Sequence, residues 1–210
     1  MGGGPLFIHQ YSQAWIDLRD RGDPQAALLD PFEPRLDYFA NSVAATRAQQ
    51  AVFSKNLSRK FSGYSTHVWG LTASDSSKGY TDWGASPADS RIDGTVTPSA
   101  AAGSLMFTPD ICIPTLRTML VQYGRKIYGR YGFVDAFNPS TGWTDRYVIG
   151  IDVGIALLSA ENLRTGKVWQ WFMSNAEPQH ALDLVGLFKL QSPLQHKPPK
   201  LPVLGMQQIN

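Results

Sequence analysis

Apolar side chains along this chain recur mainly at the spacing of α-helices. The clearest stretch covers residues 36–61, where apolar positions follow a period near 3.6 and neither glycine nor proline occurs. Gly63 follows it as a helix stop signal. A helix of about 25 residues is long for a globular protein. It is typical of a helical barrel, whose helices run the full height of the fold.

Shorter apolar patterns predict further helices, which two long loops separate. These helices are predicted over residues 12–19, 99–106, 109–128, 153–164 and 178–190. Pro114 is predicted to kink the third of them or to make it restart. Residues 63–98 and 129–150 are rich in glycine, proline and small polar side chains, so both are predicted loops. The pattern therefore predicts a mostly α fold whose loops gather at one end and form a cleft.

The composition is that of one globular domain. Of the 210 residues, 43% are apolar, which is enough for a sizeable core. We expect the domain to cover residues 1–190 and the proline-containing, polar stretch 191–210 to be a loosely packed tail. A formal net charge of +2, without any block of like charges, does not favour a nucleic-acid partner or an anionic membrane surface.

The sequence shows neither a membrane span nor the motifs of common cofactors. Its longest apolar stretch, residues 149–160, contains Asp152 and is shorter than a bilayer span. The first residues have no signal-peptide pattern. No phosphate loop or dinucleotide fingerprint is present, so no cofactor is predicted. Cys112 is the single cysteine, which excludes an internal disulfide, and it lies in an apolar run typical of a core.

Three carboxylates and one histidine are the first candidates for chemistry. Asp152 directly precedes an apolar helix, so it is either an N-cap or an ionised general base at a helix start. Asp75, in the first long loop, either forms a turn or grips a sugar hydroxyl. His9 has no second histidine at helical spacing, and no metal site is predicted. Glu161 lies half a turn away from Asp152 around the same helix, so we expect it to be structural.

Four segments of the chain carry a further signal. They are PLFIHQYS (5–12), WGLTASD (69–75), YGFVDAFN (131–138) and GIDVG (150–154). Together they resemble the glycoamylase-like family, which includes bacterial endo-β-1,2-glucanases and a domain of cyclic β-1,2-glucan synthases. The resemblance covers roughly residues 3–190. It implies an all-α fold, the C-terminal half of an (α/α)6 toroid whose long loops form one side of a cleft.

The resemblance also implies an activity and a site. The implied function is hydrolysis of a β-glucan, above all β-1,2-glucan, in the periplasm or outside the cell. Its catalytic residues would be Asp152, as general base, and Asp75. The implied substrate-binding residues are His9, Gln10, Tyr11, Trp15, Asp17, Arg19, Trp69, Trp83, Phe137 and Trp143. Aromatic rings among them would stack on the faces of sugar rings.

The family also carries an early carboxylate, expected to be the proton donor, upstream of the segment that begins at Pro5. We therefore expect this chain to be the back half of a larger enzyme. The expected partners are a glucan and either a missing N-terminal half or a second copy of the chain. Two other interpretations stay open: a carbohydrate-binding remnant that cannot turn over, and a purely structural helical domain.

Overall fold

The computed structural model describes residues 5–22, 37–83 and 89–189. Seven α-helices lie in these ranges: α1 Leu6–Trp15, α2 Tyr38–Lys55, α3 Pro98–Ala102, α4 Pro109–Tyr123, α5 Gly150–Arg164, α6 Lys167–Met173 and α7 Ala176–Leu184. Two-residue strands pair as three antiparallel ribbons: β1 Arg21–Gly22 with β6 Phe188–Lys189, β2 Tyr128–Gly129 with β3 Gly132–Phe133, and β4 Phe137–Asn138 with β5 Trp143–Thr144. The prediction of a mainly helical fold is confirmed.

The first helix lies earlier in the chain than the apolar pattern predicted. α1 begins at Leu6 rather than near residue 12, directly after Pro5, which occupies the N-cap position. It ends at Trp15 because Ile16 adopts an extended backbone conformation. Residues 17–19 of the predicted helix therefore lie beyond it, and Asp17 and Arg19 belong to the loop that follows.

The long second helix is shorter than predicted. Asp37 caps the start of α2 by accepting a hydrogen bond from the Ala40 N–H at 2.8 Å. Asn56 ends the helix, and a 3₁₀ turn covers Leu57–Arg59. The predicted first residue, Leu36, lies outside the described residues.

The later helices follow the predicted order with different limits. α4 contains Pro114, so the predicted restart there is wrong, and the helix ends where Gly124 takes a positive φ of 51°. α5 begins at Gly150, three residues earlier than predicted. α6 was not predicted: Gly166, interpreted as the end of a helix, has a φ of 68° and joins α5 to α6. α7 ends at Leu184 rather than near residue 190.

Much of the first predicted loop is packed into the core. It has no α-helix in its described part before Pro98. Buried side chains of this segment pack with α2, α3 and α4; they include Tyr64, Val68, Trp69, Leu71, Trp83 and Ile92. A backbone bridge between Val96 and Phe137 joins its end to β4. These contacts hold the loop against the helices and fix the position of the residues around Asp75.

α5 packs against α1, α3 and α6. A second core cluster at these contacts contains Ala14, Met106, Phe107, Ile155 and Trp169. This arrangement fixes the start of α5, and hence Asp152, beside α3. Of the helices in the described residues, none is long and apolar enough to cross a membrane. The predicted tail, 191–210, lies outside the described residues, and the domain limit at 190 stays a prediction.

Candidate active site

Asp152 lies in the first turn of α5, where Ile149 occupies the N-cap position. The interpretation of Asp152 as an N-cap is therefore wrong. Its side chain lines a pocket of about 420 Å³. Other lining residues come from α3, the β2–β3 hairpin and α5 and include Ser99, Arg130, Tyr131, Phe133, Val153 and Leu157. Asp152 Oδ2 is buried and accepts no hydrogen bond from the described residues, so it can accept one from a ligand.

A second aspartate, Asp135, lies against Asp152 just before β4 and is only 1% exposed. Burial first, and then the neighbouring Asp152 carboxylate, raise the pKa of Asp135 to about 8, although the N–H of Asp75 opposes the rise. Burial also raises the pKa of Asp152, and the Asp135 and Ser99 side chains oppose that rise. The start of α5 was expected to favour ionised Asp152, but burial is the larger effect. Burial thus disfavours negative charge on both carboxyl groups.

Tyr11 on α1 is half-buried beside this pair. Burial and the two carboxylates, Asp152 before Asp135, raise the pKa of Tyr11 to about 12. Its phenol therefore stays protonated at neutral pH and can donate a hydrogen bond to a carboxylate or to a ligand. Tyr11 is therefore a predicted substrate-binding residue that the structure places near the predicted base.

Asp75 contacts the pair through its backbone. Its N–H donates to Asp135 Oδ2 at 2.6 Å. Its carboxylate lies with those of Asp135 and Asp145, with one oxygen of each within 4.8 Å of the others. The predicted catalytic role of the Asp75 carboxylate stays a prediction, and the structure adds a positioning contact from its backbone.

The predicted sugar-stacking aromatics fall into two groups. Trp69, Trp83 and Phe137 are at most 2% exposed, so their rings lie in the core and do not face a cleft in this conformation. The indole N–H of Trp69 donates to Thr115 Oγ1 at 2.7 Å, which satisfies it internally. Trp15 is 44% exposed and Trp143 is half-buried. Of the six predicted rings, only these two and half-buried Tyr11 can offer a face to a sugar without rearrangement.

Two polar residues of the predicted substrate-binding set, Gln10 and His9, form internal contacts instead. Gln10 is 1% exposed and donates to the Ala100 carbonyl at 2.9 Å and to Ser104 Oγ at 2.8 Å. His9 Nδ1 forms a hydrogen bond with Ser42 Oγ at 3.1 Å. Both side chains therefore join α1 to its neighbours, and neither lines the pocket.

The remaining charged candidates form local ion pairs. Asp17 and Arg19 pair with each other at 2.7 Å, and the Arg19 guanidinium also lies 4.1 Å from the centre of the Trp169 ring. Glu161 pairs with Arg164 at 3.2 Å, which is the structural role expected for it. Neither pair lies on the pocket wall.

Sequence reasoning singled out the segment around Asp135 but missed the residue itself. The signal was an aspartate inside the apolar run 133–137, where a charged side chain has no reason to be buried unless it is used. Its neighbour Asp152 is 17 positions later, and no spacing rule relates the two. The pair exists because β4 and the start of α5 meet beside α3.

Residues 1–176 match the model of the family Glycoamylase, described as "Putative glucoamylase". The chain belongs to this glycoamylase-like family. An exo β-1,2-glucooligosaccharide sophorohydrolase (non-reducing end) of Parabacteroides distasonis is 32% identical to it over 190 residues. That match covers 90% of this chain and 24% of the relative.

Solved structures of the family share the fold. An endo-β-1,2-glucanase of Chitinophaga pinensis, in complex with sophorotriose and glucose, matches with a TM-score of 0.79 and 30% identity over 89% of this chain and 42% of that one. A β-1,2-glucanase of Parabacteroides distasonis matches with a TM-score of 0.77 and 30% identity over 88% and 25%. The chain thus spans less than half the length of these glycoamylase-like relatives.

Proposed function

We propose that this chain forms one wall of a cleft that hydrolyses a β-glucan, with Asp152 as the general base. One observation carries the proposal. Among the described residues that line the pocket, Asp152 is the one with a carboxylate. Its Oδ2 is buried and has no hydrogen-bond partner within the described residues. A buried carboxylate oxygen without a partner is costly unless a ligand or a water molecule uses it.

The reaction we propose needs two groups acting on opposite sides of the glycosidic bond. Asp152 takes a proton from water while the water oxygen bonds to the anomeric carbon. The bond from that carbon to the leaving oxygen breaks, and an acid gives the leaving oxygen a proton. The resemblance assigns that acid to a carboxylate upstream of Pro5. Tyr11 and Asp135 would orient Asp152, because both lie beside it.

The substrate we propose is β-1,2-glucan. The supporting facts are the printed activities of two relatives, a β-1,2-glucooligosaccharide sophorohydrolase and an endo-β-1,2-glucanase. The pocket wall suits a sugar, since it combines Tyr131 and Phe133 with the charged side chains of Arg130 and Asp152. Exo or endo action stays open, because the relatives include both.

The architecture and location that we propose follow the same resemblance. The described helices would form part of an (α/α)6 toroid, with the pocket opening towards its centre. Such a glucan hydrolase would work in the periplasm or outside the cell. A partner that supplies the rest of the ring, or a second copy of this chain, is part of the proposal.

The first test, on the enzyme that includes the segment carrying the acid, is release of reducing ends from linear β-1,2-glucan, with linear β-1,3-glucan as the linkage control. We expect Asp152→Asn to lower the rate by about 10²–10⁴, the usual contribution of a general base. Asp110→Asn is the matched control, because Asp110 is exposed and pairs with Arg47 away from the pocket wall. Unchanged turnover in Asp152→Asn would exclude Asp152 as the base.

The second test separates hydrolysis from binding alone. Calorimetric titration with short β-1,2-linked glucose oligomers should show binding that Tyr131→Ala weakens and Tyr80→Ala does not. Both tyrosines are strongly exposed, at 67% and 72%, but only Tyr131 lines the pocket. Binding without any release of reducing ends would favour the carbohydrate-binding remnant. Absence of both would contradict the proposed function.

A further inference from the structure

Three aspartates meet on the inner side of the β4–β5 hairpin. Asp135 precedes β4, Asp145 follows β5, and Asp75 comes from the long loop between α2 and α3. One carboxylate oxygen of each lies within 4.8 Å of the other two. Asp135 and Asp145 are 1% and 8% exposed and Asp75 is half-buried, so Asp75 is the most accessible member of the cluster.

The backbone holds the three residues in place without using up their carboxylates. The Asp135 N–H donates to the Tyr147 carbonyl and the Asp145 N–H to the Ala136 carbonyl, both at 2.9 Å, which extends the β4–β5 pairing to these residues. Asp75 is fixed by its own N–H, which donates to Asp135 Oδ2. The cluster is therefore preorganised by main-chain contacts.

One oxygen of the cluster has no hydrogen-bond partner among the described residues. Asp145 Oδ1 accepts from the Tyr147 N–H at 3.1 Å, but Asp145 Oδ2 is buried and accepts no hydrogen bond within the described part of the chain. The Asp145 side chain is more than nine-tenths buried. A buried acceptor in this position costs free energy unless something outside the protein satisfies it.

Within the described residues, the cluster also lacks a counter-charge. In residues 5–22, 37–83 and 89–189, no lysine, arginine or histidine forms an ion pair with Asp75, Asp135 or Asp145. The further carboxylate of Asp152 lies beside Asp135 and adds no positive charge. Buried charges in proteins are normally paired or coordinate a metal.

We propose that Asp75, Asp135 and Asp145 bind a divalent cation of the hard class, Ca²⁺. Carboxylate oxygens are the ligands that this class of cation prefers. Two oxygens on opposite sides of one Ca²⁺ ion are at most about 5 Å apart, since Ca–O distances are about 2.3–2.6 Å, so the observed cluster already has a suitable size. Water entering past half-buried Asp75 would complete the coordination. The ion would hold the long loop to the hairpin and fix Asp135 beside Asp152.

The test is titration of the 210-residue chain with Ca²⁺ alone, after removal of bound metal with a chelator. Calorimetry should show one site with a dissociation constant of about 1 mM or tighter. The midpoint of thermal unfolding should rise with added Ca²⁺, because a ligand that binds only the folded state stabilises it. The proposal is overturned if Ca²⁺ at several millimolar, above the dissociation constant of about 1 mM, gives no saturable heat and does not raise that midpoint.

Two variants and one control locate the site. Asp145→Asn keeps the shape of the side chain and the acceptor for the Tyr147 N–H, and we expect it to weaken Ca²⁺ binding at least about tenfold, because it removes one ligand charge. Asp110→Asn, at an exposed aspartate outside the cluster, should leave binding unchanged. If circular dichroism shows that Asp145→Asn does not fold, Asp75→Asn replaces it as the test variant. Asp75 is half-buried, so its substitution should disturb the fold less. Wild-type affinity in the folded variants would overturn the proposal.

Terbium gives an independent readout. Tb³⁺ occupies Ca²⁺ sites and luminesces when a nearby tryptophan is excited. Trp83 is suitably close, because its indole N–H donates to Ser74 Oγ, next to Asp75, at 3.0 Å. We expect sensitised emission that Ca²⁺ displaces and that Asp75→Asn reduces; emission unaffected by both would count against the site. These measurements use no glucan, so their failure leaves the proposed hydrolysis untouched.

Discussion

The two sides of α5 differ in whether their polar groups have hydrogen-bond partners. On the side that faces the protein, the buried polar side chains of Ser159 and Asn162 have partners: Ser159 Oγ accepts the Met106 N–H at 2.9 Å, and Asn162 donates to the Ala14 carbonyl at 2.8 Å. On the pocket side, Asp152 Oδ2 is buried without a partner and Leu157 is 67% exposed. Satisfied polar groups mark the side that stabilises the fold, while an unsatisfied carboxylate beside exposed apolar surface marks the side that binds.

The largest expected difference in stability between the two sides comes from one pair of aliphatic residues. Ile155 is 2% exposed in the cluster with Trp169, whereas Leu157, two residues later, is 67% exposed. Ile155→Ala should lower the free energy of unfolding by about 2–5 kcal/mol, because it removes buried surface and leaves a cavity. Leu157→Ala should change it by less than about 0.5 kcal/mol. Urea denaturation measures both, and equal losses would contradict the assignment of the two sides.

The next effect concerns the polar contacts of the inner side. Asn162 Oδ1 also accepts a hydrogen bond from the backbone N–H of Trp169 at 3.1 Å, so its side chain connects α5 to both α1 and α6. Asn162→Leu has a similar volume and leaves two buried backbone groups without partners. We expect a loss of about 1–3 kcal/mol in the same denaturation experiment. Gln170→Leu, at an exposed position on α6, is the control and should be nearly neutral.

The sequence predicted the order of the helices better than their first and last residues. Helical periodicity was sufficient for the order of most helices, because a buried helical face leaves a repeating pattern in the chain. It failed at α6, because this helix has only seven residues and follows Gly166, which was interpreted as a stop signal. It also placed α1 too late, because the buried face of this helix includes the polar side chains of Gln10 and Gln13, so burial there does not follow the apolar positions.

The candidate site was predictable only in part, for a physical reason. Asp152 could be singled out as a candidate because it adjoins an apolar helical pattern and lies in one of the four family segments. Asp135 and Asp145 become partners only after the β4–β5 hairpin has formed against α5, and no spacing in the chain encodes that meeting. Burial of Trp69 and Trp83 was equally hidden, because a loop rich in glycine and serine gives no sign that it is packed into the core.

The smallest expected effect concerns the exposed apolar surface of the pocket side. A fluorescent hydrophobic dye such as an anilinonaphthalene sulfonate should bind the native chain, because Leu157 and Val153 line an open pocket beside Tyr131. Leu157→Gln should weaken that binding about fivefold, which corresponds to losing about 1 kcal/mol of apolar contact. Leu184→Gln is the control, since Leu184 is 73% exposed but lies outside the pocket wall. A short β-1,2-linked glucose oligomer should compete with the dye if both occupy this pocket. If the oligomer bound without displacing the dye, the apolar surface and the carboxylate would belong to separate sites, and the pocket side of α5 would lose the single role assigned to it.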